Sequence, residues 1–529
     1  MKLIECVPNI SEGRNKDIIN KIIEPLKNRK NVYLLDVDSG YDTNRTVITF
    51  IGSPENVIDA AFELIENASK FIDMSLHEGE HSRMGATDVC PLIPVTNTTM
   101  KECVKYSKEL AKRVANKLQI PVFLYEHSAT NKERKNLANI RKGEYEGMFE
   151  KIQTKNWYPD YGKSENNTKS GVVAIGAREF LIAYNINLNT SDKKIATDIA
   201  LDIREAGRAK RDSEGKIIRD KNKKIVKKPG KLKFCKAVGW YIDEYNQAQV
   251  SINLTNYKRT SIHKTFEEVR KQARKRGVRV TGSEIVGLVP KASLLSAGRY
   301  YLKKQHRSTS IPENNILNIA IQSLGLSDIN FFNKDKKIIE NIISKDNESL
   351  NKHSVSEFMD ILSEGTPTPG GGSVSALAGS LSMALTSMVS NLSFQKKGLE
   401  NNKSQYTLIG DLCQQYKKRM LELIELDALA YDEVINAFRL PKKNEKDIKI
   451  RKKAINVATI HAANIPLNIL ELSINCLSQI NKMVSISNPN SISDLGVANY
   501  MAFSASQGAY MNVLINANDF ENKSKKRDM

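Results

Sequence analysis

The stretch Thr46-Val47-Ile48-Thr49-Phe50-Ile51-Gly52-Ser53-Pro54 decides how the first half of this chain folds. A short β-branched and aromatic run ends at Gly52, then Ser53 stands as an N-cap and Pro54 as the first helical residue. The spacing beyond it predicts an amphipathic helix over 57–68. The unit recurs. A strand at 181–188 passes through Thr190 and Ser191 into a helix at 195–203, and a strand at 250–254 leads to a helix at 266–273. Further strands are predicted at 32–37, 122–125, 172–175 and 238–242. Repetition of strand, cap and helix points to α/β architecture: two related lobes, each a mixed sheet covered by helices. In 250–255 apolar Val250, Ile252 and Leu254 alternate with Ser251, Asn253 and Thr255, and Asn185 and Asn187 repeat the pattern. Polar sheet faces of this kind either line a cleft or face water, and pattern alone leaves both open.

From Ser354 onward the β-branched runs disappear. Leu421, Ile424, Ala428, Tyr431 and Ile435 follow helical spacing, and further helices are predicted between 449 and 479 and between 492 and 516. This half reads as an all-α bundle behind the charge-rich stretch 334–352. The uncharged stretch 365–395 is long enough to span a bilayer, but Ser373, Ser375, Ser380, Ser382, Ser387, Ser390 and Ser393 suit a helix packed inside a bundle. It is read as buried, not spanning.

At 529 residues, with 40% apolar and 26% charged residues, the composition is that of a soluble globular protein, and excludes collagen and wholesale disorder. Six scattered cysteines form no metal or disulfide framework and read as reduced thiols in a cytoplasmic protein. The N-terminal residues carry no signal-peptide core. Half of the net charge of +20 comes from residues 208–236. Nucleic-acid binding would need aromatic residues among those cations for base stacking, and the run holds only Phe234.

Three constellations carry chemistry. His77-Glu78-Gly79-Glu80-His81 matches H-E-x-x-H, the helical zinc motif, and a zinc hydrolase on His77 and His81 is one reading. Gly79 inside the motif argues for a loop, where a histidine beside Arg83 serves as a general base near neutral pH. Gly365–Ser373 leads glycines into a helix N-terminus without the G-K-[ST] of a phosphate loop. Asp427 lies on the flank of the apolar stripe, where partial desolvation raises a carboxyl pKa and favours proton donation.

Together these segments resemble formimidoyltransferase-cyclodeaminase, the bifunctional folate enzyme family of histidine breakdown. The resemblance runs through Glu5-Cys6-Val7-Pro8-Asn9-Ile10-Ser11-Glu12-Gly13, Thr43-Asn44-Arg45-Thr46-Val47, Gly79-Glu80-His81-Ser82-Arg83-Met84-Gly85-Ala86 and Gly176-Ala177-Arg178. It continues in Gly239-Trp240-Tyr241, Gly287-Leu288-Val289-Pro290, Pro369-Gly370-Gly371-Gly372-Ser373 and Asn512-Val513-Leu514-Ile515-Asn516. It implies ferredoxin-like lobes at 1–178 and 179–326, a linker at 327–352 and a cyclodeaminase domain at 353–529. It implies transfer of a formimidoyl group from N-formimidoyl-L-glutamate to tetrahydrofolate, then closure to 5,10-methenyl-tetrahydrofolate with loss of ammonia. By motif, His81 matches the transferase acid/base and Asp38 a carboxylate near it. The stretch Gly162, Lys163, Ser164, Glu165, Asn166, Asn167, Thr168, Lys169, Ser170 and Gly171 matches a folate-binding loop, Gly230 a further folate contact, and Asp427 the cyclodeaminase proton donor. No metal and no tightly bound cofactor are implied; tetrahydrofolate, with its polyglutamate tail, is a co-substrate. The family also implies a homo-oligomer built from dimers, up to an octamer, with neither nucleic acid nor membrane as partner. Residues 209–229 form a basic segment longer than in animal members, and loop 163–170 lacks their apolar character. A chain that keeps only one of the two activities is the remaining alternative.

Overall fold

The structure, a computed structural model, describes residues 2–518 except 28, 42, 80, 81, 166, 221, 222, 244 and 344–348. The chain forms two compact units, Met1–Ser293 with Gly325–Ile343, and Leu294–Leu324 with Ser344–Met529.

The first unit opens with β1 (Leu3–Cys6), β2 (Asn9–Ile10), α1 (Lys16–Lys27), β3 (Val32–Gly40), β4 (Arg45–Gly52), α2 (Pro54–Phe71) and β5 (Thr87–Thr96). It continues with α3 (Met100–Leu118), β6 (Val122–Glu126), α4 (Leu137–Arg141), α5 (Glu144–Lys151) and β7 (Val173–Ala177). β1 and β2 share the place between β4 and β5, β3 flanks β4, and β7 and β6 extend the sheet in parallel beyond β5. A second sheet follows from β8 (Ile182–Leu188), α6 (Lys193–Ile203), the short pair β9 (Arg208–Ala209) and β10 (Lys227–Lys228), β11 (Cys235–Ile242), β12 (Gln247–Leu254), α7 (Ile262–Arg274) and β13 (Val280–Val286). Its order is β11-β12-β8-β13, with antiparallel pairings. In both sheets the second and third strands of a β-α-β-β-α-β unit lie on one side of the first and the fourth on the other, the ferredoxin-like arrangement.

The repeat read from sequence is therefore the real architectural unit. Pro54 starts α2 behind Ser53, although the Ser53 hydroxyl accepts from the Asn56 amide at 2.7 Å and caps no backbone group. β1 and β2 are absent from the sequence reading because Pro8 splits them into runs too short to show alternation, and β13 because Gly282 interrupts it. One face of the first sheet meets α1, α2 and α3 through Ile4, Ile48, Phe50 and Leu64. On the other face α4 and α5 cover only the far end, around Val89, Phe123, Ile140 and Met148. Near β3 and β4 that face stays open and polar.

A bulge shapes this open face. Asn9 lies opposite Val89 and Ile10 opposite Thr87, so Asp88 is an additional residue in β5. Its side chain is fully buried. It pairs with Arg45 Nη1 at 2.7 Å and with Arg141 Nη2, while its Oδ1 accepts from the backbone of Met84 at 3.1 Å.

The chain continues through α8 (Lys291–Lys304), α9 (Glu313–Leu324), α10 (Lys334–Lys337) and α11 (Ile339–Ile343). The two units cut this region differently from the boundaries expected at 326 and 352. Residues 294–324, expected in the second lobe, pack in the helical unit. α9 buries Ile316, Leu317, Ala320 and Leu324 there, and the Ser310 carbonyl accepts from Ser387 Oγ at 3.1 Å and Asn391 Nδ2 at 2.6 Å. Residues 325–343, expected in a linker, belong to the first unit, with Ile338 fully buried and the Lys337 carbonyl bonded to Val289 N at 2.9 Å.

The helical unit adds α12 (Val355–Ser363), α13 (Gly371–Gln395), α14 (Lys403–Phe438), α15 (Glu445–Val484) and α16 (Ile492–Asn518). α13 is the serine-rich stretch, and all seven serines named for it are buried. Some bond to neighbouring helices, as Ser382 to Ala498 O at 2.7 Å and Ser390 to Tyr406 O at 2.6 Å. Small hydroxyl side chains thus let helices pack closely around α13 while satisfying their own polar groups. On α14 Tyr431 departs from the expected stripe and is exposed; the core takes Met420, Leu423, Ile424 and Ala430. Replacing Asp88 with Asn strips the buried charge from two arginines at once. The variant is expected to lose about 3–5 kcal/mol of stability, measurable by urea denaturation.

Candidate functional site

The first constellation lies in the loop joining α2 to β5. His77 Nδ1 accepts from Arg83 Nε at 3.3 Å. A guanidinium only donates, so Nδ1 is unprotonated and Nε2 carries the hydrogen it gives to Asn44 O at 2.9 Å. Burial lowers the His77 pKa in the same sense. Both ring nitrogens are engaged, so His77 is a neutral structural histidine, and the zinc reading loses a ligand. Arg83 also holds Glu146 through two nitrogens at 2.9 and 2.6 Å and Glu144 at 3.1 Å. Asn44 Nδ2 bonds Glu78 O at 2.8 Å, and its Oδ1 accepts from Gly13 N at 3.0 Å. The loop is thereby tied to α5, to the β3–β4 turn and to the segment after β2. His81 lies outside the described residues, between the anchors at Glu78 and Arg83.

Asp38 is exposed on β3, opposite Val47, which in turn faces Asn9 on β2. Side chains paired across strands share a face, so Asp38, Asn9 and Arg45 stand on the open polar face. Arg45 is fixed there by Asn9 Oδ1, 3.1 Å from its Nε and 2.8 Å from its Nη2.

Loop 162–171 runs against the same region. Lys169 O accepts from Met74 N and Ser170 O from Ala86 N, both at 2.9 Å. Gly85 and Gly171 form a bridge, and the Tyr145 hydroxyl donates to Thr168 O. Residues 168–171 therefore clasp both ends of the histidine loop. The Asn167 side chain accepts from Ser170 N at 2.9 Å. Gly162, Lys163 and Glu165 are exposed, Ser164 is half-buried with its carbonyl bonded to Gln153 at 2.6 Å, and Asn166 lies outside the described residues. Gly230 sits behind the basic segment against the last turn of α6. A Cβ there would come within 2.0 Å of Arg204 O, so close approach alone demands glycine.

The second constellation belongs to the helical unit. Asp427 on α14 meets the first turn of α13, where Gly370, Gly371, Gly372 and Ser373 start the helix. Its Oδ2 lies 3.0 Å from Ser373 Oγ. Any side chain at 372 would collide, because a Cβ there would stand 2.2 Å from Asp427 Oδ1. Asn512 on α16 borders Gly371 and is oriented by a 2.8 Å bond from Nδ2 to Gly508 O. Burial raises the Asp427 pKa, offset in part by the Ser373 hydrogen bonds. The carboxyl thus keeps its proton to higher pH than an exposed aspartate, as a proton donor must.

Three family profiles cover the chain: the formiminotransferase domain N-terminal subdomain over residues 3–178, the formiminotransferase domain over 183–344 and formiminotransferase-cyclodeaminase over 354–529. The formimidoyltransferase-cyclodeaminase of Dictyostelium discoideum is 42% identical over 521 residues, covering 98% of this chain and 93% of its own. The chain belongs to the formimidoyltransferase-cyclodeaminase family. The Mus musculus member is 37% identical over 98% of this chain and 93% of its own. Glutamate formimidoyltransferase of Streptococcus pyogenes is 43% identical over 57% of this chain and 94% of its own. The chain is accordingly a transferase and a cyclodeaminase.

Sequence reasoning missed the Arg83–Glu146 clamp and the buried Asp88. Asn9, Arg45 and Asn512 lay within the family motifs, but nothing marked Glu144 or Glu146. Arg83→Lys keeps the charge yet loses the forked geometry; transferase turnover is expected to fall tenfold or more while cyclisation, assayed separately, is unchanged. For Asp427 the raised pKa means that ionisation costs folding free energy. The stabilising influence of its neutral form is present at low pH and lost as pH rises through the folded pKa. Asp427→Asn is therefore expected to be at least as stable as the parent at neutral pH, by thermal denaturation.

Proposed function

We propose that formimidoyl transfer and cyclisation run on two separate centres of this chain, one in each compact unit. The carrying observation is that each unit has its own preorganised constellation: the clasped histidine loop with the open face of Asp38, Asn9 and Arg45, and Asp427 against the α13 N-terminus. In the first, the tetrahydrofolate amine attacks the amidine carbon of N-formimidoyl-L-glutamate. His81 takes the amine proton and returns it to the departing glutamate nitrogen, a task suited to an imidazole, which can both accept and donate a proton. Asp38 steadies the cationic amidinium and the tetrahedral intermediate. Loop 162–171 and Gly230 hold the folate. In the second centre, N10 attacks the formimidoyl carbon and ammonia leaves with the Asp427 proton, giving 5,10-methenyl-tetrahydrofolate. Both steps are nucleophilic attack and proton transfer, so the reading asks for no metal and no tightly bound cofactor.

The basic excess would retain polyglutamate tails between steps. The chain is read as cytoplasmic, and the assembly reading, a homo-oligomer built from dimers, is supported by α13. It exposes Val374, Leu381 and Met388 at seven-residue spacing, with Leu392 beyond, a seam that fits another helix. His81→Ala is expected to abolish formation of 5-formimidoyl-tetrahydrofolate and spare cyclisation, and Asp427→Ala the reverse, each followed by the ultraviolet absorbance of the methenyl product. Loss of both activities in either variant would contradict the division.

A further inference from the structure

The second sheet has a helix-free face that carries an unusual network. Gln249 Nε2 donates to Glu284 Oε1 at 3.0 Å and to Asn187 Oδ1 at 2.8 Å, while its Oε1 accepts from Trp240 Nε1 at 2.8 Å. The amide orientation is unambiguous, because an indole only donates and a carboxylate only accepts. Glu284 Oε1 accepts also from Asn185 Nδ2 at 3.1 Å, and the Tyr245 hydroxyl lies 3.4 Å from Oε2. These bonds to the carboxylate all come from neutral side chains, Gln249, Asn185 and Tyr245. An anion held by neutral donors in one orientation, with Oε2 only weakly occupied, has acceptor capacity for a ligand that brings N–H groups.

Trp240 supplies the other half. Its ring is pinned through Nε1 yet 41% exposed, beside Val238 at 52%. The Gln249 amide links the two, accepting from the indole on one side and donating to the carboxylate on the other. We infer that this face receives the pteridine ring of the folate, with Glu284 accepting from its adjacent 2-amino and ring N–H groups and Trp240 as the surface on which it stacks. This rests on the reading that tetrahydrofolate is the acceptor substrate. An amidinium also offers paired N–H donors, but it is too small to need an aromatic platform.

The chain holds two tryptophans, Trp157 and Trp240, so Trp157→Phe makes Trp240 the sole indole. Titration of that variant with 5-formyl-tetrahydrofolate is expected to quench fluorescence saturably. Adding Glu284→Gln is expected to weaken Kd tenfold or more and to raise KM for tetrahydrofolate while leaving KM for formimidoyl-glutamate unchanged. If Glu284→Gln does not fold, as circular dichroism would show, a 2-desamino folate analogue decides the matter on Trp157→Phe alone, where it should bind at least tenfold more weakly. Absent quenching, a Kd changed less than twofold in a folded Glu284→Gln, an analogue bound equally well, or a shift in KM for formimidoyl-glutamate instead would each overturn the assignment. Folate bound in this way by a protein that transfers no formimidoyl group would sink the functional reading and leave this one standing.

Discussion

Asp88 is the point on which the transferase unit turns. One fully buried carboxylate neutralises Arg45 from β4 and Arg141 from α4, and accepts the backbone of Met84 just before β5. The bulge that exposes no side chain to water instead aims this one inward, toward two cations that would otherwise be buried without a counter-charge. With Arg45 held, Asn9 is held; with Met84 held, the end of the histidine loop and the Gly85–Gly171 bridge are held. Arg45 and Asn9, on the polar face where Asp38 stands, are thus tied to a carboxylate buried beneath them.

The two centres solve opposite protonation problems with different materials. Formimidoyl transfer needs a group that both takes and returns a proton near neutrality, the role proposed for His81; the loop around it is tied down at Met74, Glu78, Arg83 and Ala86. Release of ammonia needs a group that arrives protonated. The second unit presses the carboxyl proposed for that role against a glycine-rich helix start, where burial outweighs the Ser373 hydrogen bonds and raises its pKa. Gly372 is required because the acid occupies the space of its absent side chain.

Much of this was legible in the sequence, for identifiable reasons. The strand–cap–helix unit around Pro54 is written in local residues, and local residues decide it. The serines of α13 announced a packed helix because small hydroxyl side chains at that density suit close helix packing, and all seven are buried. His77 illustrates the limit: H-E-x-x-H spells a metal helix, yet Gly79 breaks the helix and partners 6 and 33 residues away take both ring nitrogens. Asp88 and Glu146 had no local signal, since their partners come from distant elements. Residues 294–324 cluster with the helical unit, a grouping no local signal marks because an amphipathic helix does not say which core it covers.

The central claim is that each centre works without the other's catalytic group. Equal amounts of His81→Ala and Asp427→Ala protein, mixed with N-formimidoyl-L-glutamate and tetrahydrofolate, test it directly. The account predicts that methenyl-tetrahydrofolate appears after a lag, as intermediate released by one variant accumulates and is closed by the other. A mixture as inactive as its components, when each variant retains its own half-reaction, would contradict it.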